Sequence, residues 1–237
     1  MWGKDRMNTK RIVLFSDVHG NITGLRAIME EVRKLENVER IIGLGDYFGW
    51  GAGCDDIIDC CLENNVVLIR GGHEEILNQI DRAEDPGNYY PEIYFTHDWL
   101  KKNLKPEYYQ MVTHLPTEIR LPLNSAYTLI GFHAALNDME SYTCGSDREL
   151  EVLEQAYGGL EENIVVYGHY HEPHVIPMNG KLLINCASVG QRKKDDLSNY
   201  TIVEYDEKKV AVIQRQVPYD KAEEDRLIRE RGMIRRL

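Results

Sequence analysis

Acidic and imidazole side chains recur in this chain directly after short apolar runs. RIVLF (11–15) leads into Ser16-Asp17-Val18-His19-Gly20, and RIIGL (40–44) into Gly45-Asp46. NVVLI (65–69) leads into Arg70-Gly71-Gly72-His73-Glu74, YTLIGF (127–132) into His133, and IVVY (164–167) into Gly168-His169-Tyr170-His171. Carboxylate oxygens and imidazole nitrogens with no thiolate form a donor set that suits Mn, Fe, Zn or Ni in a catalytic centre and disfavours a Cys-rich structural zinc site. There are more donors than one ion with open positions needs. Two divalent ions about 3.5–4 Å apart, bridged by one carboxylate, would use them. Such a pair lowers the pKa of a bridging water and clamps a phosphoryl group between its attacking and leaving oxygens.

Each piece alone has an ordinary explanation. A D-x-H after a strand is usually a turn or a cap, and Gly-Asp is usually a turn. A lone His133 reads as a satisfied, semi-buried histidine. With eight histidines in 237 residues, an H-x-H pair arises by chance roughly 0.3 times. The constellation changes the reading, because five strand ends carry the same kind of chemistry.

The elements that must position these residues follow from hydrophobic period. The apolar runs at 11–15, 40–44 and 65–69 read as buried strands. Between them, residues 21–36 place Leu25, Ile28, Met29, Val32 and Leu35 on one helical face, and residues 55–64 place Ile57, Ile58, Cys61 and Leu62 on another. Strands alternating with helices predict α/β architecture with parallel strands and right-handed crossovers. Open α/β sheets place ligands at the carboxyl ends of their strands, where every Asp and His above lies. From about 75 to 115 the pattern is helical and rich in aromatics, including Tyr89, Tyr90, Tyr94, Phe95, Trp99, Tyr108 and Tyr109. This segment reads as a helical insertion whose Trp99, Leu100, Leu104 and Met111 pack on the sheet edge; the alternative is a lid whose tyrosines stack on a base. Strands return at 127–132, 164–167, 182–186, 201–205 and 210–215, with a helix over 147–157 and a hairpin around Asp206-Glu207-Lys208. Residues 218–237 are a charged helix or tail, with Arg226, Arg229 and Arg231 on a solvated face or a subunit contact.

Composition narrows the class of partner. A chain of 237 residues with 43% hydrophobic and 28% charged residues can bury a core. Its net charge of −11 argues against a nucleic-acid backbone as the main partner. No apolar run approaches a membrane span. Residues 1–9 read as a loose leader and lack the apolar stretch of a signal peptide. Five cysteines (Cys54, Cys60, Cys61, Cys144 and Cys186) form no C-x-x-C pair, which points to reduced thiols in a cytoplasmic chain. An oligomer is compatible with all of this.

In order and spacing, Asp17-x-His19, Gly45-Asp46, the Gly-x-His-Glu stretch at 71–74, His133 and Gly168-His169-x-His171 resemble the calcineurin-like metallophosphoesterase family. The likeness runs over roughly residues 11–215 and is strongest to its compact bacterial and archaeal phosphoesterases. Asn185-Cys186-Ala187-Ser188-Val189-Gly190-Gln191 resembles a loop of that family, with departures where proline and glycine are usual. The resemblance implies a four-layer αββα sandwich of two mixed sheets, forming a domain over 10–217. It implies that Asp17, His19 and His171 hold a first divalent ion, that Asp46 bridges, and that His133 and His169 hold a second. His73 would be the proton donor to the leaving oxygen. The implied activity is hydrolysis of a small-molecule phosphate mono- or diester, a nucleotide among the candidates.

One position departs from the pattern. Where the family has a metal-binding asparagine, this chain has Gly72. Glycine offers no side-chain oxygen, so the second ion would rely on Asp46, His133 and His169 with water or a neighbouring carboxylate; Glu74 and Glu75 are the nearest in sequence. The alternative reading is a binding or scaffold protein that keeps the fold with a weakened site.

Overall fold

A computed structural model describes residues 9–84, 86–87, 89–141, 145, 147–190 and 196–233. The rest of the leader, Cys144 and Gln191 lie outside the described residues. In chain order the strands are β1 (Lys10–Phe15), β2 (Val38–Gly43), β3 (Val66–Leu68), β4 (Glu118–Pro122), β5 (Thr128–Phe132), β6 (Ile164–Tyr167), β7 (His174–Met178), β8 (Lys181–Asn185), β9 (Leu197–Tyr205) and β10 (Val210–Pro218). The helices are α1 (Ile22–Val32), α2 (Asp55–Glu63), α3 (Gly72–Asp81), α4 (Pro91–Asn103), α5 (Pro106–Thr113), α6 (Leu150–Tyr157) and α7 (Lys221–Glu230). Two five-stranded sheets form, in the orders β10-β9-β1-β2-β3 and β4-β5-β6-β8-β7.

Both sheets are mixed. The first three strands are parallel, and β9 then pairs antiparallel to β1. In the second sheet β5, β6 and β8 are parallel, with β4 and β7 antiparallel at the edges. Side chains alternate across a strand, and the central strands are apolar on both faces because both are covered. Ile12 and Leu14 of β1 meet Ile164 and Val166 of β6 between the sheets. Val13 and Phe15 turn outward against Leu25, Ile28 and Met29 of α1, in a core that also takes residues of α2, α4, α5 and α7. Val165 and Tyr167 turn the other way, against Leu153 and Tyr157 of α6. Three apolar cores between four layers make an αββα sandwich.

Several local expectations change. Leu62 is 49% exposed while Cys60 is buried, so α2 is rotated slightly from the predicted face. The edge strands β4 and β7 have no counterpart in the sequence reading; each carries a proline (Pro122, Pro177), which edge strands tolerate and central ones do not. Trp99, Leu100 and Leu104 are buried against the first sheet's helical layer, and Met111 packs beside them. The charged C-terminal segment docks: Leu227 and Ile228 are buried, Glu224 accepts from the Thr23 hydroxyl, and Arg231 pairs with Asp56. The Trp99 indole also donates to the Arg231 carbonyl. Between β9 and β10, Asp206 closes the predicted hairpin by accepting from the Lys208 and Lys209 amides.

Candidate functional site

The sheets bring the five strand-end segments to one edge. After β1 the chain leaves in a left-handed conformation at Asp17 (φ 57°) and again at His19 (φ 47°), and after β2 it does so at Asp46 (φ 56°). The two turns lie side by side: the Asp17 amide donates to the Gly45 carbonyl, His19 to Asp46 and Gly20 to Tyr47. After β6, His169 (φ 63°) and His171 (φ 60°) are left-handed too. Asp and His adopt this region more readily than most residues, but at a cost, and such strain gathers where function over-determines the backbone. Only His133, at the end of β5, reaches the site from ordinary backbone among the six expected ligands.

Asp17 is fully buried and ties two segments together. Its Oδ2 accepts from the His169 amide at 2.9 Å, and its Oδ1 lies 2.9 Å from His171 Nε2. His19 Nε2 is 3.1 Å from His171 Nε2. Burial pushes the Asp17 carboxyl up, but His171 and His19 outweigh it and hold it well below the usual carboxylate range. Asp46 plays the same part on the other side. Its Oδ1 accepts from the His73 amide at 2.8 Å, and its Oδ2 stands 3.3 Å from His133 Nε2, 3.9 Å from His19 Nε2 and 4.0 Å from His73 Nε2.

These donors fall into groups that could each hold an ion. Asp17, His19 and His171 form one, Asp46, His133 and His169 a second, and His19, Asp46 and His73 a third, with the ligand atoms of each group within 4.8 Å of one another. The hydrogen bonds fit a cation. His133 Nδ1 lies 2.8 Å from the Leu44 carbonyl, which only accepts, so that nitrogen carries the proton. The buried Nε2, aimed at Asp46, makes no hydrogen bond of good geometry among the described residues, and neither does the buried Nδ1 of His19. Burial lowers the proton affinity of His133, but the Asp46 carboxylate overrides it and holds the imidazole up at about 10. A cation between His133 Nε2 and Asp46, proton or metal ion, would answer the same carboxylate charge. Burial holds His73 and His169 down at about 4, which favours the neutral imidazole that a metal ion needs.

The double glycine has two explanations. A Cβ on Gly71 would stand 2.4 Å from the Asp46 amide nitrogen and 2.5 Å from its Oδ1, so the chain passes too close to the Asp46 loop for any side chain. A Cβ on Gly72 would instead meet the Met139 carbonyl oxygen at 2.9 Å and Glu140 Cγ at 3.6 Å. The segment after His133 thus borders the place where a side chain at 72 would begin.

Glu74 and Glu75 do not fill that place. Glu74 is fully buried and accepts three backbone amides: Asp46 at 2.9 Å, Tyr47 at 2.8 Å and Gly71 at 3.0 Å. Glu75 pairs with Arg70 at 3.3 Å. Glu74 is a clamp that fixes the Asp46 loop to the start of α3; it makes the Glu half of a capping box by accepting from the amide of the N-cap Gly71, which has no side chain to return the bond. Trp50, left-handed at φ 56°, carried no sequence signal. Its ring lies 4.6 Å from that of His19, tilted at 51°, and 4.7 Å from that of His73, edge-on at 71°. Asn185 braces the β6 loop by donating to the Gly168 carbonyl and accepting from the Ala187 amide.

The chain matches the model of the calcineurin-like phosphoesterase superfamily domain over residues 11–208. It is 24% identical over 231 residues to an uncharacterised protein of Methanocaldococcus jannaschii, with 88% of either chain covered. Among solved structures it is similar to a hypothetical protein from Pyrococcus horikoshii, with a TM-score of 0.78, 16% identity and 94% of each chain covered. It is also similar to a metallophosphoesterase from Sphaerobacter thermophilus, with a TM-score of 0.72, 21% identity and 95% of each chain covered.

Proposed function

The chain belongs to the calcineurin-like phosphoesterase superfamily, and on that premise we propose that it is a metal-dependent phosphoesterase acting on a phosphate mono- or diester. The observation that carries this is the convergence of two donor groups, Asp17, His19 and His171 with Asp46, His133 and His169, on one sheet edge. The first group would hold one divalent ion and the second another, with Asp46 between them. When bound, two such ions supply charge stabilisation at the phosphoryl oxygens and a water of lowered pKa. Manganese is among the ions this donor set accepts.

The chain's own groups do the rest. Asp17 and Asp46 each accept a backbone amide with one oxygen and keep the other for the site. The Leu44 carbonyl fixes the tautomer of His133. His73, 4.0 Å from Asp46 and edge-on to Trp50, would protonate the leaving oxygen. Burial leaves His73 neutral at pH 7; the negative charge of an arriving phosphoryl group raises its proton affinity where the proton is needed. We assign the catalytic domain to residues 10–217, with the helical segment from about 75 to 115 as its insertion.

The test is to strip the protein with a chelator and refill it with Mn, Ni or Fe. Hydrolysis of aryl phosphate mono- or diesters should vanish and return. Hydrolysis indifferent to chelation, or absent after refilling with each ion, contradicts the reading. Gly72 favours a second reading, a binding protein with a weakened site, because no amide stands at that position. Calorimetric uptake of one tight ion or none would support it; uptake of two argues against it.

A further inference from the structure

We propose that Glu140, on the segment after His133, supplies the oxygen donor that an asparagine at position 72 would have supplied, completing the second cation site with Asp46, His133 and His169. The inference rests on the two-cation reading above and concerns this chain's own substitution.

Space is the first consideration. Gly72 opens α3, and a Cβ built on it would lie 2.9 Å from the Met139 carbonyl oxygen, 3.7 Å from the Met139 carbonyl carbon and 3.6 Å from Glu140 Cγ. Two heavy atoms at 2.9 Å are closer than a carbon and an oxygen tolerate, so a side chain at 72 and the present course of residues 139–140 exclude each other.

The second point is attachment. Residues 134–140 follow directly from His133, itself one of the proposed ligands. The segment is closed by a two-way backbone pair between Ala135 and Asp138, at 3.0 and 3.2 Å, and the Glu140 amide donates to Asp138 Oδ1 at 3.1 Å. This tight turn returns the chain toward the site and sets Glu140 beside Gly72. In asparagine the amide oxygen is two bonds from Cβ. The Glu140 carboxylate oxygens are two bonds from a Cγ that stands 3.6 Å from the same point.

The third point is charge. Burial, then the charges of Asp138, Asp46 and Glu75, push the Glu140 carboxyl up, and a hydrogen bond from Tyr89 offsets part of this. A cation among these carboxylates would favour the charged form of Glu140. A neutral amide would have brought no such conflict, and a carboxylate is the harder donor for a divalent ion. Glu74 is unavailable for this task, being spent on three backbone amides, and Glu75 is paired with Arg70.

The test is titration of stripped protein with Mn(II) alone, by calorimetry, with bound Mn counted by elemental analysis after desalting. The wild type, Glu140→Ala and Glu140→Gln are compared, with thermal melts of the stripped proteins as the check on folding. Glu140 is exposed, so both variants should melt as the wild type does. The wild type should bind two ions. Glu140→Ala should keep one ion at wild-type affinity and lose the second or bind it at least about 10-fold more weakly; Glu140→Gln should fall between. Two ions of unchanged affinity in both variants would overturn the assignment of Glu140 and leave the phosphoesterase reading standing. A wild type that binds one ion would also overturn it, and one that binds none would overturn both.

Discussion

His133 faces Asp46 across 3.3 Å, Nε2 to Oδ2, while its other nitrogen donates to the Leu44 carbonyl. The carbonyl fixes one proton on Nδ1, so the nitrogen opposite Asp46 presents a lone pair to a carboxylate unless it takes up a second proton or a cation. Because Asp46 holds the imidazole up at about 10, the stripped protein is expected to carry that second proton at pH 7. Metal uptake at this site should therefore release about one proton. Calorimetry in buffers of different ionisation enthalpy reads this directly. Release should stay constant from pH 7 to about 9 and diminish as pH approaches the pKa of His133. No release at pH 7 would mean that His133 is neutral and differently bonded.

Glu74 should matter to stability more than any other carboxylate near the site. It satisfies three buried amides at the junction of the Asp46 loop and α3. Glutamine offers one acceptor oxygen and brings an NH2 that meets N–H donors. Glu74→Gln should cost about 2–3 kcal/mol, measured by urea denaturation of the stripped protein. A loss below about 0.5 kcal/mol, within the range of neutral surface changes, would show that the clamp is not needed to hold the loop.

The left-handed backbone at the ligands should leave a stability signature separate from metal binding. At His171 (φ 60°) glycine accepts the conformation without a Cβ penalty, and alanine does not. In stripped protein, His171→Gly should be about 1 kcal/mol more stable than His171→Ala, although the unfolded glycine chain is the more flexible. Thermal melts of the two variants decide it; an alanine variant equal to or more stable than the glycine variant would remove strain from the account.

The sequence exposed the parts of this molecule that are governed by burial. The β1 strand and β6 are apolar on both faces because helices and a second sheet cover them, and runs such as RIVLF and IVVY announce that. The Asp and His residues after those runs were legible because strand ends in such a fold converge. Edge strands were not: β4 and β7 are short, half-exposed and interrupted by Pro122 and Pro177, so neither alternation nor propensity marks them. Leu62 falls outside the buried face because a helix of nine residues leaves its buried arc loosely defined. Trp50 reaches the site, and Glu140 the neighbourhood of Gly72, from irregular loops, where no period says which way a side chain turns. The positive φ at Asp17, Asp46 and His171 was hidden for a related reason, since tertiary bonds rather than a glycine hold those residues there.

The central claim is that this sheet edge hydrolyses phosphate esters with His73 as the proton donor. Its most direct test is the rate of aryl phosphate mono- and diester hydrolysis by Mn(II)-loaded wild type beside equally loaded His73→Ala. The account predicts that both proteins carry the same bound Mn, that the wild type turns over, and that the variant is slower by about 10²–10⁴-fold. Hydrolysis by the wild type no faster than by the variant, with metal bound in both, would contradict it.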